Sequence, residues 1–344
     1  MGLQVFGTDR SENGVIGQLG AVDDALVKKG VLLNSLDDVV IIGTGSGHQV
    51  VVKGDVIGHI GGMTLGDSAL DANQRLTIAE DASVIGSTFS GAVIYGSNSV
   101  VRNHGQLGGG TNAISLYGDD TGTTSRLFNT GLIVTESQSA AAIYRNGEED
   151  FRLVNDGKIS SKADYAYDGT DSSGRQTIIN SGRFDGGIIF GDANDRYVGT
   201  GGRVVGIISG EVGNDRLTGG PRADQLAGDE GRDILKGSKG SDEFIYHLMN
   251  DTHVDRSGRD LIQDFSHRQG DRIILNELDA NIGGANDAFT FIGKDDFSNT
   301  PGELRYYFSG HKTFIEGTVD ADGQADFMIE LKGRIKLVED DFVL

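Results

Sequence analysis

Two periods run through this chain of 344 residues, and they constrain its fold more than any other feature. The first has the form aliphatic-x-Asn-x-Gly-x-apolar and occurs as VRNHGQL (101–107), LFNTGLI (127–133), LVNDGKI (153–159) and IINSGRF (178–184). Its asparagines, Asn103, Asn129, Asn155 and Asn180, are spaced by 26, 26 and 25 residues. Looser copies lie around Gly54, Ala82 and Gly202. Within each copy, short β-branched runs alternate with Gly, Asn, Asp and Ser clusters, the pattern of strands and turns. Helical periodicity is nearly absent, with residues 21–29 (AVDDALVKK) the one stretch that suggests it. Such a repeat buries its apolar face only by stacking on its neighbours, which predicts a parallel β-solenoid with capped ends. Stacking aligns like side chains, so the four asparagines are expected to form a ladder at a turn. Asn suits that place because it tolerates left-handed backbone and bonds to neighbouring amides. Their role is structural.

After Gly206 the period shortens to nine, in GEVGNDRLT (210–218), GGPRADQLA (219–227), GDEGRDILK (228–236) and GSKGSDEFI (237–245). Asp215, Asp224, Asp233 and Asp242 fall in phase, and Leu217, Leu226, Leu235 and Phe244 follow two positions later. These four copies resemble the RTX nonapeptide G-G-x-G-x-D-x-U-x, which forms a calcium-binding β-roll. Arg222 stands where the second copy wants a turn glycine, and Glu211, Asp229 and Ser238 replace the second glycine in the other copies. The second turn is therefore the weakest ligand set.

One nonapeptide makes one turn and one short strand, so two make a coil and like turns recur every 18 residues. Asp215 and Asp233 then share one edge, Asp224 and Asp242 the other, and Asp195 in GDAND (191–195) continues the first. Adjacent strands lie about 4.8 Å apart, and Ca²⁺ takes oxygens at roughly 2.3–2.6 Å. An ion between stacked turns thus reaches both carboxylates. Turn glycines, here Gly210, Gly213, Gly219, Gly228, Gly231, Gly237 and Gly240, let the backbone aim carbonyls at the same ion. Without calcium the stacked carboxylates repel, so binding and folding should be coupled.

Downstream lie GRDLIQDFSHRQGDRIIL (258–275), FTFIG (289–293), GELRYY (302–307), TVDADGQADFMIEL (318–331) and EDDFVL (339–344). With the repeats, they resemble the C-terminal domain of serralysin-type secreted metalloproteases over about residues 206–344. The resemblance implies a β-roll leading into a β-sandwich, with an uncleaved type I secretion signal at its end. Asp340, Asp341, Phe342, Val343 and Leu344 fit that acidic-then-apolar ending, although alone they read as a last strand. It also implies a calcium ligand at Asp260, ahead of the I-x-D-F segment. DADGQAD (320–326) lacks the EF-hand glycine and glutamate, at Ala325 and Leu331, and reads as a hairpin turn. The seven histidines include no H-E-x-x-H pair, so the protease site of that family is absent.

Composition agrees. With 51 acidic against 30 basic residues the net charge is −21, which disfavours nucleic acid and anionic membrane and favours bound cations. Residues 211–344 alone hold 27 acidic and 15 basic side chains. No cysteine is present, which removes disulfides, thiol nucleophiles and zinc thiolates. No apolar run is long enough for a membrane span, and no Sec-type signal is visible at the start. Type I export, implied by the resemblance, accounts for the missing N-terminal signal and for the absence of cysteine.

Any function beyond calcium is expected on residues 50–205. Tyr95, Tyr117, Tyr144, Tyr167 and Phe190 recur at spacings of 22, 27, 23 and 23, each after an apolar residue. If those residues face the core, alternation puts the rings outside, as a platform for an acidic exopolysaccharide; the alternative is a structural stack or rings that face inward. Parallel β-helices with this pairing of modules are similar to secreted alginate epimerases and to surface adhesins. Uronate chemistry would draw on Tyr144, Arg145, Tyr167 and Asp168, and glycoside hydrolysis on Asp119 and Asp168. The expectation is thus an all-β chain. An N-terminal cap (1–49) and a right-handed parallel β-helix (50–205) lead into an RTX β-roll (206–250) and a β-sandwich cap (251–344). It acts outside the cell, as a polysaccharide or matrix binder or, alternatively, as a glycanase, lyase or epimerase.

Overall fold

Aliphatic residues that recur at one register position build the first part of the chain. In the computed structural model, which describes residues 2–282 and 287–344, Val50, Leu76, Val101, Leu127, Leu153 and Ile178 stand opposite one another in successive parallel strands. A second parallel stack aligns Val56, Val84, Leu107, Ile133, Ile159 and Phe184. A third aligns Met63, Ala92, Ile114, Ile143 and Tyr167. All of these side chains are buried. Each coil thus gives one strand to each of three parallel stacks, and the inward columns form the core of a β-solenoid. Each fully buried aliphatic contributes about 1.5–3 kcal/mol. Among the described residues no α-helix forms.

The asparagine ladder forms on the first stack. Asn103 Nδ2 donates to Asn129 Oδ1 at 2.8 Å, Asn129 to Asn155 at 2.8 Å, and Asn155 to Asn180 at 2.9 Å. All four are buried at the ends of their strands. A carboxamide is both donor and acceptor, so the inner members of a column of identical ones are satisfied by their neighbours, while Asn103 Oδ1 at the column's end is buried without a partner.

Coiling begins earlier than the sequence suggested. Leu3–Phe6, Arg10–Glu12 and Gly17–Leu19 already pair in parallel with Asp24–Val27, Leu32–Ser35 and Ile41–Gly43, within the stretch expected as a cap. The hint of a helix over 21–29 is overturned as well. Asp24–Val27 is a strand that buries Ala25 and Val27 at period two, because parallel pairing overrides a weak local preference.

The chain divides into two compact units, Met1–Asp192 with Gly202–Gly206, and Ala193–Gly201 with Ile207–Leu344. In the second, the nonapeptides alternate between two parallel stacks. Tyr197, Leu217, Leu235 and Ile262 align on one, and Ile208, Leu226, Phe244, Ile273 and Phe342 on the other. Like strands therefore recur every two repeats, with the apolar position of each inside.

Both stacks continue into the C-terminal residues. Phe327–Lys332 joins Leu261–Ile262 in parallel and is followed outward by antiparallel Lys312–Gly317 and Glu303–Ser309. Phe342–Val343 extends the other stack. Rings bridge the layers, with Phe291 5.2 Å from Phe342. DADGQAD joins antiparallel strands in which Gly317 faces Phe327, the geometry of a hairpin.

Candidate calcium site

Each nonapeptide aspartate ends a turn and begins a strand, with its carboxylate lying back over its own turn. The first glycine makes that possible. A Cβ added at Gly210, Gly228 or Gly237 would lie 2.3, 2.3 or 2.2 Å from Oδ2 of Asp215, Asp233 or Asp242, and at Gly219 2.6 Å from that of Asp224. Gly231 meets a different obstacle, since its Cβ would fall 1.6 Å from the Gly213 carbonyl oxygen of the preceding coil. Glu211, Asp229 and Ser238, where the motif prefers glycine, still take the left-handed backbone, at φ 62°, 60° and 76°. The turn survives those substitutions at a cost of about 1–2 kcal/mol each.

The aspartates form two ladders. On one edge the amide of Asp195 donates to Asp215 Oδ1 at 2.6 Å, Asp215 to Asp233 at 2.7 Å, and Asp233 to Asp260 at 2.8 Å. On the other, Asp224 donates to Asp242 Oδ1 at 3.0 Å and Asp242 to Asp271 at 3.1 Å. One oxygen of each carboxylate is thus committed to the neighbouring coil. The other is not: Oδ2 of Asp215, Asp233, Asp242 and Asp260 is buried and accepts no hydrogen bond. Asp224 differs, because the Gly220 amide donates to its Oδ2 at 2.6 Å, in the copy whose turn carries Arg222.

Burial pushes Asp215 and Asp233 up to about 9, with the carboxylates of Asp233 and Asp260 respectively adding to the effect. Asp242 rises to about 7, and Asp260 well above its ordinary value, both chiefly through burial. Four buried oxygens without donors, on carboxylates that resist ionising alone, are a donor set that fits a hard dication. Asp195, Asp215, Asp233 and Asp260 would serve one edge, and Asp224 and Asp242 the other. Asp271 was missed in the sequence because a longer loop puts it 29 residues from Asp242, outside the nine-residue phase. Asp264, which accepts the amides of Gly237 and Ser238 at 3.0 Å each, was missed for the same reason.

Residues 207–244 match the family of the RTX calcium-binding nonapeptide repeat, in four copies. This segment is a calcium-binding RTX array. No curated protein matches the chain. Among solved structures, the solution structure of the AlgE6R2 subunit of the Azotobacter vinelandii mannuronan C5-epimerase is similar at 25% identity and TM-score 0.31, covering 44% of this chain and 88% of that one. The AlgE6R3 subunit of the same enzyme is similar at 24% identity and TM-score 0.25, covering 53% and 86%.

On the first unit the expected aromatic ladder splits. Tyr95 and Tyr117 stack at 4.8 Å, and Tyr144 meets Tyr117 edge-on at 5.9 Å, all three half-buried. Tyr167 and Phe190 point into the core instead. The reason is register: Ile143 faces Tyr167 and Tyr144 faces Asp168, so the ring moved by one residue and changed face. Arg145 aligns with Leu116 in an inward column and is fully buried, spanning carbonyls of Leu116, Gly118 and Glu149. The exposure expected of Tyr167 and Arg145 is therefore corrected. Tyr144 donates to Asp171 Oδ2 at 2.5 Å, and Asp119, Asn146, Glu148, Asp171 and Asp192 line a shallow cavity beside it. Asp168 bonds its own turn through Thr170 and does not line that cavity.

Proposed function

We propose that this protein works outside the cell as a calcium-loaded solenoid that binds exopolysaccharide. The observation that carries the reading is the row Tyr95–Tyr117–Tyr144, three partly exposed rings beside a polar cavity on one solenoid face. Ring faces cover the apolar faces of sugars, while the neighbouring hydroxyl and carboxylates take hydrogen bonds. The lining is acidic, so a polyuronate would be retained only with calcium between the two sets of carboxylates. Binding is favoured over lyase or epimerase action because Arg145 and Tyr167 are enclosed in the core and cannot meet a sugar at Tyr144, and over glycanase action because Asp168 does not join Asp119 in the cavity lining. Action outside the cell is supported by the RTX repeats at residues 207–244.

The test is co-sedimentation of the full chain with purified acidic and neutral exopolysaccharides, with calcium or with chelator. Calcium-dependent retention that Tyr117→Ala reduces is expected. Product sizing and mass measurement on the same samples test catalysis, and any shortened or mass-altered product would replace binding by enzymatic action.

A further inference from the structure

The first coil of the first unit presents open strand edges. Leu3–Phe6, Arg10–Glu12 and Gly17–Leu19 each pair in parallel with the following coil, and among the described residues no strand pairs with their other side. The lumen itself is shut. Phe6 is buried, and a Cβ added at Gly17 would fall 2.9 Å from its ring, so the ring reaches across the coil to that strand. The Arg10 guanidinium lies 5.5 Å from the centre of the same ring, and Gln4 Nε2 donates to the Gln18 carbonyl at 2.5 Å. Side chains plug the core while the backbone edge stays open.

An open edge is a template for another strand unless proline, lysine, a bulge or an inward charge blocks it. These strands, LQVF, RSE and GQL, hold no proline and no lysine. Five of the thirteen exposed large apolar side chains among the described residues, Leu3, Val5, Val22, Leu32 and Leu36, lie on this coil and the next. The only charges in the three strands are Arg10 and Glu12, one of each sign. They align with Leu33 and Ser35, both buried, so they occupy inward positions, whereas Ser11 aligns with Asn34 and accepts from its Nδ2 at 3.1 Å.

Those inward charges select the partner. An apolar strand laid on this edge would bury Arg10 and Glu12 without counter-charges. The edge's own two-fold image supplies them. Antiparallel pairing centred on Ser11 sets Arg10 opposite Glu12 of the second copy and Glu12 opposite its Arg10, on one face. Arg10–Glu12 is the middle strand of the coil, so the same axis brings Leu3–Phe6 against Gly17–Leu19 of the second copy, again antiparallel. We propose that the coil at residues 3–19 joins a second copy of this chain edge to edge, through an isologous interface with two reciprocal Arg10–Glu12 pairs. The Tyr95–Tyr117–Tyr144 row lies on later coils and stays free. The dimer is independent of calcium and of polysaccharide. Its one consequence that rests on the function proposed above is avidity, since two rows would act on one polymer.

The test is sedimentation equilibrium of the full chain in calcium over a range of concentrations. A mass of two chains is expected. Arg10→Glu opposes like charges at both pairs and should weaken dimerisation at least about a hundredfold, as should Glu12→Arg. An equimolar mixture of these two variants should recover the dimer, because every cross-pair then has opposite signs, and the Arg10→Glu/Glu12→Arg double variant should dimerise alone. Lys53→Glu makes the same charge change at an exposed position of a later coil and should alter nothing. Circular dichroism checks that each variant folds, and Glu12→Arg with the double variant carries the test if Arg10→Glu does not. A monomer at all concentrations would leave the edge to a different protein and overturn the proposal. So would a dimer that the folded single variants keep, a double variant that stays monomeric, or open-ended assemblies larger than two.

Discussion

The backbone amide of Asp233 donates to Asp260 Oδ1 at 2.8 Å across 27 residues, repeating the bond that Asp215 makes to Asp233 across 18. The edge therefore extends one coil beyond the last nonapeptide, and Asp260, like Asp233, is fully enclosed. Asp260→Asn keeps an acceptor for the Asp233 amide but removes the charge and the open oxygen. It should lower calcium affinity about tenfold or more, measured by calorimetry. Asp320→Asn, in an exposed hairpin turn, should leave it unchanged.

Acid should stabilise the metal-free protein. Asp215 and Asp233 have folded values near 9 against an ordinary 3.8, and Asp242 near 7. Between those limits the folded state holds protons that the unfolded chain has released, so stability falls as pH rises from about 4 toward 9. Urea denaturation in chelator should give a higher midpoint at pH 5 than at pH 8. With calcium the order should reverse, because the ion must displace those protons. A chelated protein indifferent to pH would show that the aspartates are ionised and solvated.

Gly228→Ala tests the floor beneath a ladder carboxylate. The new Cβ would lie 2.3 Å from Asp233 Oδ2, so the carboxylate must move off its turn and calcium affinity should drop. Gly108→Ala is the control, since its Cβ would find nothing nearer than 3.7 Å. Equal calcium titrations of the two variants would refute the floor.

Asn129 both accepts from Asn103 and donates to Asn155. Asn129→Ala leaves Asn155 Oδ1 without its donor, while Asn103 Nδ2 keeps the Leu132 carbonyl at 3.0 Å, and should destabilise the first unit by about 1–3 kcal/mol. Thermal unfolding in calcium would measure it. A loss near zero would mean that water enters the ladder.

Tyrosine truncations separate surface from core. Tyr117→Ala should lower polysaccharide retention with little change in melting temperature. Tyr167→Ala, at a ring that stacks 6.1 Å from Phe151 in the interior, should cost about 3–5 kcal/mol. If Tyr117→Ala proves as destabilising as Tyr167→Ala, the three-ring row is structural.

The C-terminal residues bear on export experiments. Phe342 is buried against Phe291, Asp341 contacts His267, and Phe342–Val343 is the last strand of a stack. Deleting residues 340–344 should therefore lower the stability of the second unit as well as any export. Asp340→Lys, at an exposed position, is the cleaner probe, and secreted yield with melting temperature distinguishes the two effects.

Periodicity by itself determined the solenoid, the nine-residue roll, the asparagine ladder and two aspartate edges. In a stacked chain, residues one coil apart are neighbours, so spacing along the sequence is distance in space. That equivalence holds only while coil length is constant. Where it changes, tertiary structure decides. The coil between Tyr144 and Tyr167 is shorter than the one before it, and one residue of slip sends Tyr167 and Phe190 inward and leaves Tyr144 facing Asp168. Arg145 likewise lies in an aliphatic column that its charge gives no reason to expect. Past Asp242 the loops lengthen, and Asp264 and Asp271 meet the nonapeptide turns through folding of segments with no common period. Their proximity arises from where each strand ends, which is a property of the packed chain.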